Sequence, residues 1–408
     1  MSTIDPRWPG QPTVAHEPPA TASIDISAAA ASAVGSPLDV APRRNRSLLA
    51  LAVVGISVLG VLLLVVAAIF VLSLGPVAFA IAGIMALVPL AIVLLGVNWI
   101  DRWEPEPRLA FVFSFLWGAA FAVVTSLVLE SVVGTVLSSA SGSKDAADFL
   151  SSVIEAPLIE EGSKGLGLLV IYLFARKYFD GPVDGIVYAA WIAGGFAFVE
   201  NIVYFGSQLL DGGVGGGLVQ IFVIRGLMSP FAHVMFTACT GFAIGVAARR
   251  SRVAGVIGAW FIGLVVAVAL HALWNGALYF VPNFLGYYVV VQFPLFVIAL
   301  LIVLYLRRQE SALTFERLSE YAAVGWFSPG EVTSLATGTG RRQARAWARA
   351  RGLGPQMKRY TRDATRLAFI RQRLVTGRAA AGAPAEEEAL LGSIVADRVP
   401  LQAALSRP

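Results

Sequence analysis

Eight long apolar stretches follow one another along the chain, near 48–73, 77–100, 109–139, 152–175, 184–205, 218–248, 254–281 and 285–306. Each reaches the roughly 20 residues that a helix needs to cross a hydrocarbon core about 30 Å thick. Inside a bilayer every backbone N–H and C=O must be satisfied without water, which leaves only helices or closed barrels. A barrel would show alternating segments of about ten residues. The pattern therefore specifies an all-α polytopic membrane helix bundle of about eight transmembrane helices. Composition agrees, because 57% of the 408 residues are hydrophobic and only 14% are charged, far from the usage of a soluble domain. The single cysteine, Cys239, lies in an apolar run and excludes an intramolecular disulfide framework or a Cys-rich zinc module.

The flanking segments differ in kind. Residues 1–46 are rich in Pro, Ala, Ser and Thr, show no periodicity, and read as a disordered cytoplasmic tail. They lack the order of a cleavable signal peptide, so the first span is expected to direct insertion. A transmembrane domain occupies 47–306. Beyond it, 307–408 is polar and Arg-rich and reads as a basic cytoplasmic region, helical or partly disordered. Such a segment is drawn to the anionic lipid surface of the bilayer, and no nucleic-acid partner is expected. The loops PRRNR, DRWEPEPR, ARKYFD, ARRSR and RRQE are basic or mixed, whereas SLGP, SGSKDAAD, DGGVGGG and VPNFLG contain one Lys and no Arg. This alternation places both termini in the cytoplasm, as eight spans require.

The chemistry should reside in the ionisable residues of the later spans. Glu160, Glu161, Lys164, Glu200 and Arg225 would together cost on the order of 10 kcal/mol facing lipid, so they must face one another or a wet cavity. His233 and His271 also lie within apolar spans. Helical rotation puts Lys164 angularly between Glu160 and Glu161, one turn along, where it can neutralise either. Two carboxylates beside a cation suit a general base or a metal ligand, and an ion pair at a helix end is the structural alternative. Glu200 and Asn201 follow Phe196 on the fifth span, with Gly194 and Gly195 permitting close helix approach. His271 and Asn275 project from one stripe of the seventh span. Counting inward from the outer span ends, the rise per residue puts Glu160 and Glu161 at about 12–14 Å depth, Glu200 at about 8 Å, His271 at about 15 Å and His233 at about 16–22 Å. Convergence of the four helices is expected on that basis.

The ordered set Glu160-Glu161-x-x-Lys164, Phe196-x-x-x-Glu200-Asn201, Arg225 with Pro230 and His233, and His271-x-x-x-Asn275, preceded by DRWEPEP, resembles the PrsW family of intramembrane proteases. The resemblance covers about 100–310. It implies membership of the clan containing the CAAX prenyl endopeptidases and bacterial CPBP proteases, with a polar site buried in a helix bundle of a bacterial cell membrane. Glu200 stands where the CAAX enzymes carry a His, as in PrsW-type members. The implied activity is endopeptidase cleavage of a membrane-protein substrate, such as the site-1 cleavage of a single-span anti-sigma factor. The resemblance further implies a catalytic set of Glu160, Glu161, Glu200 and Asn275, supported by Lys164, Asn201 and Arg225. Two routes fit it. In one, His233, His271 and a carboxylate hold Zn, with Glu161 taken as the ligand among Glu160, Glu161 and Glu200. In the other, Glu160 or Glu161 paired with a His activates water while His271 and Asn275 stabilise the oxyanion. A proton- or ion-coupled transporter, or a membrane sensor or scaffold, is the alternative function.

Overall fold

The computed structural model describes residues 46–405, apart from 104–105, 141–142, 177–178, 180, 250–252, 378 and 380–381. The tail expected over 1–46 lies outside the described residues up to Arg46, where the first helix begins. The described chain is helical with no strand. It separates into two compact units, Arg46–Leu306 and the residues from Arg307 onward.

In the first unit α1 (Arg46–Leu74) and α2 (Pro76–Ile100) form a hairpin. Next, α3 (Arg108–Leu116) passes through a π-helical turn (Trp117–Ala122) into α4 (Val123–Ala140). A second π turn (Ser151–Glu155) joins α5 (Lys144–Leu150) to α6 (Ala156–Ala175). Then come α7 (Pro182–Gly212), α8 (Gly216–Phe222) and a third π turn (Val223–Met228). After a break at Ser229-Pro230 the chain resumes as α9 (Ala232–Ala248) and returns as α10 (Val253–Phe280). Last are α11 (Phe284–Tyr287), a π turn (Tyr288–Gln292) and α12 (Phe293–Ala323). Proline lacks the N–H that would continue the ladder, so Pro230 opens the sixth span where Arg225 and His233 lie.

Seven helices among the described residues are long and apolar enough to cross a membrane. The expected fourth span is present as α6, but its Glu160, Glu161 and Lys164 keep it out of that set. Two boundaries differ from expectation. The fifth span ends at Gly212 rather than near 205, and α12 continues through RRQE to Ala323 instead of turning there. The cause of the second is that Arg, Gln and Glu are good helix formers, so a change of polarity does not stop a helix.

Helix α7 is the hub and is buried along most of its length, against α2, α3 and α9. By contrast, α1, α10 and α12 turn rows of Leu, Val and Ile outward, among them Val58, Leu64, Ile262 and Ile298. The α7–α9 contact is made by small residues one turn apart on each side, Gly181 and Gly185 against Gly241 and Gly245. A methyl on Gly185 would sit 2.0 Å from the Gly241 carbonyl oxygen. Small residues let backbones approach where burial of apolar surface cannot drive association. Gly185→Val is therefore expected to part α7 from α9 and cost about 1–3 kcal/mol or more, the range for overpacking, measurable as a lowered unfolding midpoint in micelles.

At one end of this bundle the DRWEPEP loop is tied down by Tyr188, whose hydroxyl donates to Glu106 Oε2 at 2.6 Å, and by the Glu106 N–H, which donates to Asp101 at 3.2 Å. Burial, opposed by that N–H and reinforced by Asp184, pushes the Asp101 carboxyl up to about 7. The folded state thus holds a proton that the unfolded chain releases near pH 4. This group's contribution is complete below that pH and is lost as pH rises through 7. Asp101→Asn should flatten this part of the stability profile between pH 4 and 8, as read by thermal unfolding.

The second unit has its own core. It is built from the end of α12 with α13 (Pro329–Ala336), α14 (Gly338–Ala350), α15 (Gly354–Val375) and α16 (Ala383–Ala403) around Leu318, Trp347, Met357, Tyr360, Leu367 and Ile394. Ser328 and Glu331 close a capping box at the start of α13. Arg341 is buried and donates to Thr365.

Candidate active site

The sequence places Glu160, Glu161 and Lys164 on one helix, and packing turns that face inward. The Lys164 side chain is completely buried. Its ammonium lies 3.0 Å from Glu160 Oε2, 2.9 Å from Glu161 Oε1 and 3.3 Å from His233 Nδ1, and 3.8 Å above the centre of the Phe196 ring. From α10, His271 Nδ1 meets Glu161 Oε1 at 3.2 Å. The second Glu161 oxygen accepts the Thr237 hydroxyl at 2.7 Å. Glu161 is thus fully engaged by three helices, whereas Glu160 keeps one oxygen without a described partner.

The carboxylate of Glu200 serves the histidine. It lies 2.8 Å from His233 Nε2 and 2.6 Å from the Arg225 guanidinium. Arg225 also donates to Asn201 Oδ1 at 2.9 Å and covers the Tyr204 ring. With Nε2 held, Nδ1 of His233 faces Lys164 and Glu160. The chain Arg225–Glu200–His233 is the usual arrangement for fixing the ring of a metal-binding or acid–base histidine. Phe236 stacks on His271 at 5.0 Å, and the two imidazole rings lie edge to face at 5.1 Å.

Local backbone devices set these positions. The π turn Ser151–Glu155 ends about one helical turn before the double acid, and another carries Arg225. Such turns free backbone groups and gather at functional sites. Asn275 is used there, since its amide donates to the Ser152 carbonyl at 2.8 Å. Of the residues chosen from sequence, Asn275 alone is therefore apart from the cluster, holding the π turn. Two indoles clamp α6. Trp117 donates to the Ser163 carbonyl at 3.0 Å and Trp260 to that of Gly165 at 2.8 Å. A methyl on Gly167 would meet Trp117 at 2.5 Å.

Sequence reasoning missed Thr237, Trp117, Trp260, Glu130 and Glu155. Thr237 was legible, because it lies one turn after His233 on the same face. The indoles carried no signal in their spacing. Glu200 was expected to be shallow, and the true end of α7 at Gly212 puts it about 18 Å from that end at 1.5 Å per residue, level with the histidines.

Glu160, Glu161, His233 and His271 offer ligand atoms that all lie within 4.8 Å of one another. Two imidazoles with carboxylates suit a divalent ion. Charge agrees, since Glu160, Glu161 and Glu200 outnumber Lys164 and Arg225 by one. A cation, the Lys164 ammonium, already lies between the donor atoms. The residues fit a metal.

Residues 106–299 match the model of the PrsW family, described as intramembrane metalloproteases. That segment is similar to the PrsW family. The chain is 34% identical over 155 residues to Protease PrsW of Clostridioides difficile (strain 630), covering 37% of this chain and 61% of that protein. To Protease PrsW of Geobacillus kaustophilus (strain HTA426) it is 34% identical over 151 residues, 36% of this chain and 58% of that one. To Protease PrsW of Bacillus subtilis (strain 168) it is 29% identical over 195 residues, 46% of this chain and 78% of that one. The chain thus spans about three fifths of the first two relatives. No solved structure matches it. Every residue of the cluster falls inside the matched segment 106–299.

Proposed function

We propose that the domain carrying this segment is an intramembrane endopeptidase that hydrolyses a peptide bond in a membrane-protein substrate. The observation that carries this reading is the meeting of Glu160, Glu161, His233 and His271, drawn from α6, α9 and α10, at one buried point. A single-span protein such as an anti-sigma factor is the substrate we favour. The loop charges support a cytoplasmic location for both termini of a bacterial multi-pass protein, with 47–306 as the protease domain and 307–408 as its cytoplasmic region.

His233, His271 and Glu161 would hold the metal, for which we favour zinc. A bound zinc ion polarises a carbonyl and lowers the pKa of water. The remaining groups are this chain's own. Glu160, the less encumbered acid, takes the proton of the attacking water and returns it to the leaving amine. Lys164 contacts both carboxylates and offsets the repulsion between two adjacent acids in a poorly solvating medium. Glu200 holds the ring of His233, and Arg225 holds Glu200.

Metal content and proteolysis measured together test this reading. Wild type should carry near-stoichiometric zinc and cleave single-span substrates, and the double variant His233→Ala, His271→Ala should lose both. Chelator-insensitive cleavage by metal-free wild type would overturn the metal role, and absence of cleavage across a broad panel would overturn the protease. Glu200→Gln is expected to weaken metal binding by about 10–100-fold, the range for a residue that orients a ligand, with Arg225→Lys intermediate.

A further inference from the structure

Buried polar atoms without a partner are uncommon, and each calls for an explanation. Four of them among the described residues fall on two facing elements of the membrane unit: the Ser126 hydroxyl, Oε1 of Glu130, and both carboxylate oxygens of Glu155. Ser126 is 5% exposed and Glu155 6%. Ser126 and Glu130 are four residues apart on α4 and share a face. Glu155 ends the π turn Ser151–Glu155, and α4 packs along both that turn and α6. Glu130 lies within electrostatic reach of Glu155, Glu160, Glu200 and Lys164. The orphans therefore lie on packed elements next to the cluster.

The segment before Glu155 is exposed at Asp148. Asp148, Ser151 and Ser152 precede Glu155, and the exposed Tyr279 hydroxyl donates to the Asp148 carbonyl at 3.1 Å and contacts the Ser152 hydroxyl at 3.0 Å. A carboxylate left without a hydrogen bond in apolar surroundings costs several kcal/mol, so two acids and a hydroxyl on one seam are tolerated only when something polar and small contacts them. A metal is not favoured there, since Glu130 and Glu155 bring no imidazole and stand outside the one close donor group among the described residues. Water meets the requirement, because it both donates and accepts and can bridge such groups at little cost.

We propose that Ser126, Glu130 and Glu155 line a hydrated seam between α4 and the α5–α6 segment, through which water reaches the Glu160–Glu161–His233–His271 cluster. The supply role rests on the protease reading: each turnover adds one water across one C–N bond, giving an acid and an amine, and within a bilayer that water must be delivered. The seam enters beside Asp148 and Tyr279 and ends at Glu160.

Accessibility tests the seam without relying on activity. In a Cys239→Ala background reconstituted in vesicles, Ser126→Cys, Glu155→Cys and Val128→Cys are exposed to a membrane-impermeant cationic methanethiosulfonate. Val128 is on the same helix but faces outward. The reagent needs a hydrated thiolate, so Ser126→Cys and Glu155→Cys should react at least about tenfold faster than Val128→Cys. Equal or slower reaction overturns the seam. Cleavage then tests its role: Glu155→Leu should reduce turnover by on the order of tenfold or more and Glu155→Gln by much less, since only the amide keeps water in place. Fast labelling with wild-type cleavage in Glu155→Leu overturns the supply role. If wild type cleaves nothing, the protease reading fails while the labelling still decides the seam.

Discussion

Glu160→Gln is expected to lower peptide cleavage by about 10²–10⁴-fold, the usual contribution of a general base, while leaving bound metal and the unfolding midpoint near those of wild type. The reason lies in the asymmetry of the two acids. Glu161 is held by Lys164, His271 and Thr237 on separate helices, whereas Glu160 is bound by Lys164 from within its own helix. Removing the Glu160 charge takes away a proton acceptor and little architecture. Glu161→Gln should behave differently, losing metal and stability along with activity. Single-turnover cleavage and metal analysis on the two variants separate the roles. Equal metal loss in both would show that Glu160 is a ligand, and full activity in Glu160→Gln would remove it from the chemistry.

The largest stability effect is expected at Lys164. Its ammonium is completely buried and compensates two carboxylates at 2.9–3.0 Å. Lys164→Met leaves those charges facing each other, and breaking a buried pair from one side costs about 3–5 kcal/mol. Methionine fills the same volume, so the loss is electrostatic and not a cavity. Adding Glu160→Gln and Glu161→Gln to Lys164→Met should restore much of the stability, because removing all the charges avoids the unpaired ones. Equilibrium unfolding in mixed micelles reads both. A cost below about 1 kcal/mol for Lys164→Met would place these carboxylates in water rather than in the protein interior.

The candidate site was legible in part because charge in a membrane span is expensive. Glu160, Glu161, Lys164, Glu200, Arg225, His233 and His271 stand out from apolar surroundings by type alone, and the structure brings all seven into one network. Asn275 stood out for the same reason, yet its amide is committed to the Ser152 carbonyl. Residue type signals that a partner is needed without saying which. Glu130 passed unnoticed because a single acid barely disturbs the apolar average of the third span. The two indoles bonded to α6 carbonyls had no chance of being read, since Trp is common at membrane depth and its N–H partner lies far along the chain, 46 residues for Trp117 and 95 for Trp260.

The sequence by itself determined the class of the protein and its inventory of chemistry. Runs of apolar residues of bilayer length admit only helices, and the cost of burying charge obliges the few ionisable groups to meet. Only the tertiary structure decided how they meet. It assigned Glu200 to His233 and Arg225, engaged Glu161 from three helices, and left Glu160 the less encumbered. The physical reason is that a helix fixes which residues share its face, while rotation and depth relative to its neighbours are set by close contacts such as Gly185 on Gly241 and by π turns. Those contacts join residues far apart in the chain, and their registers are written in no local pattern.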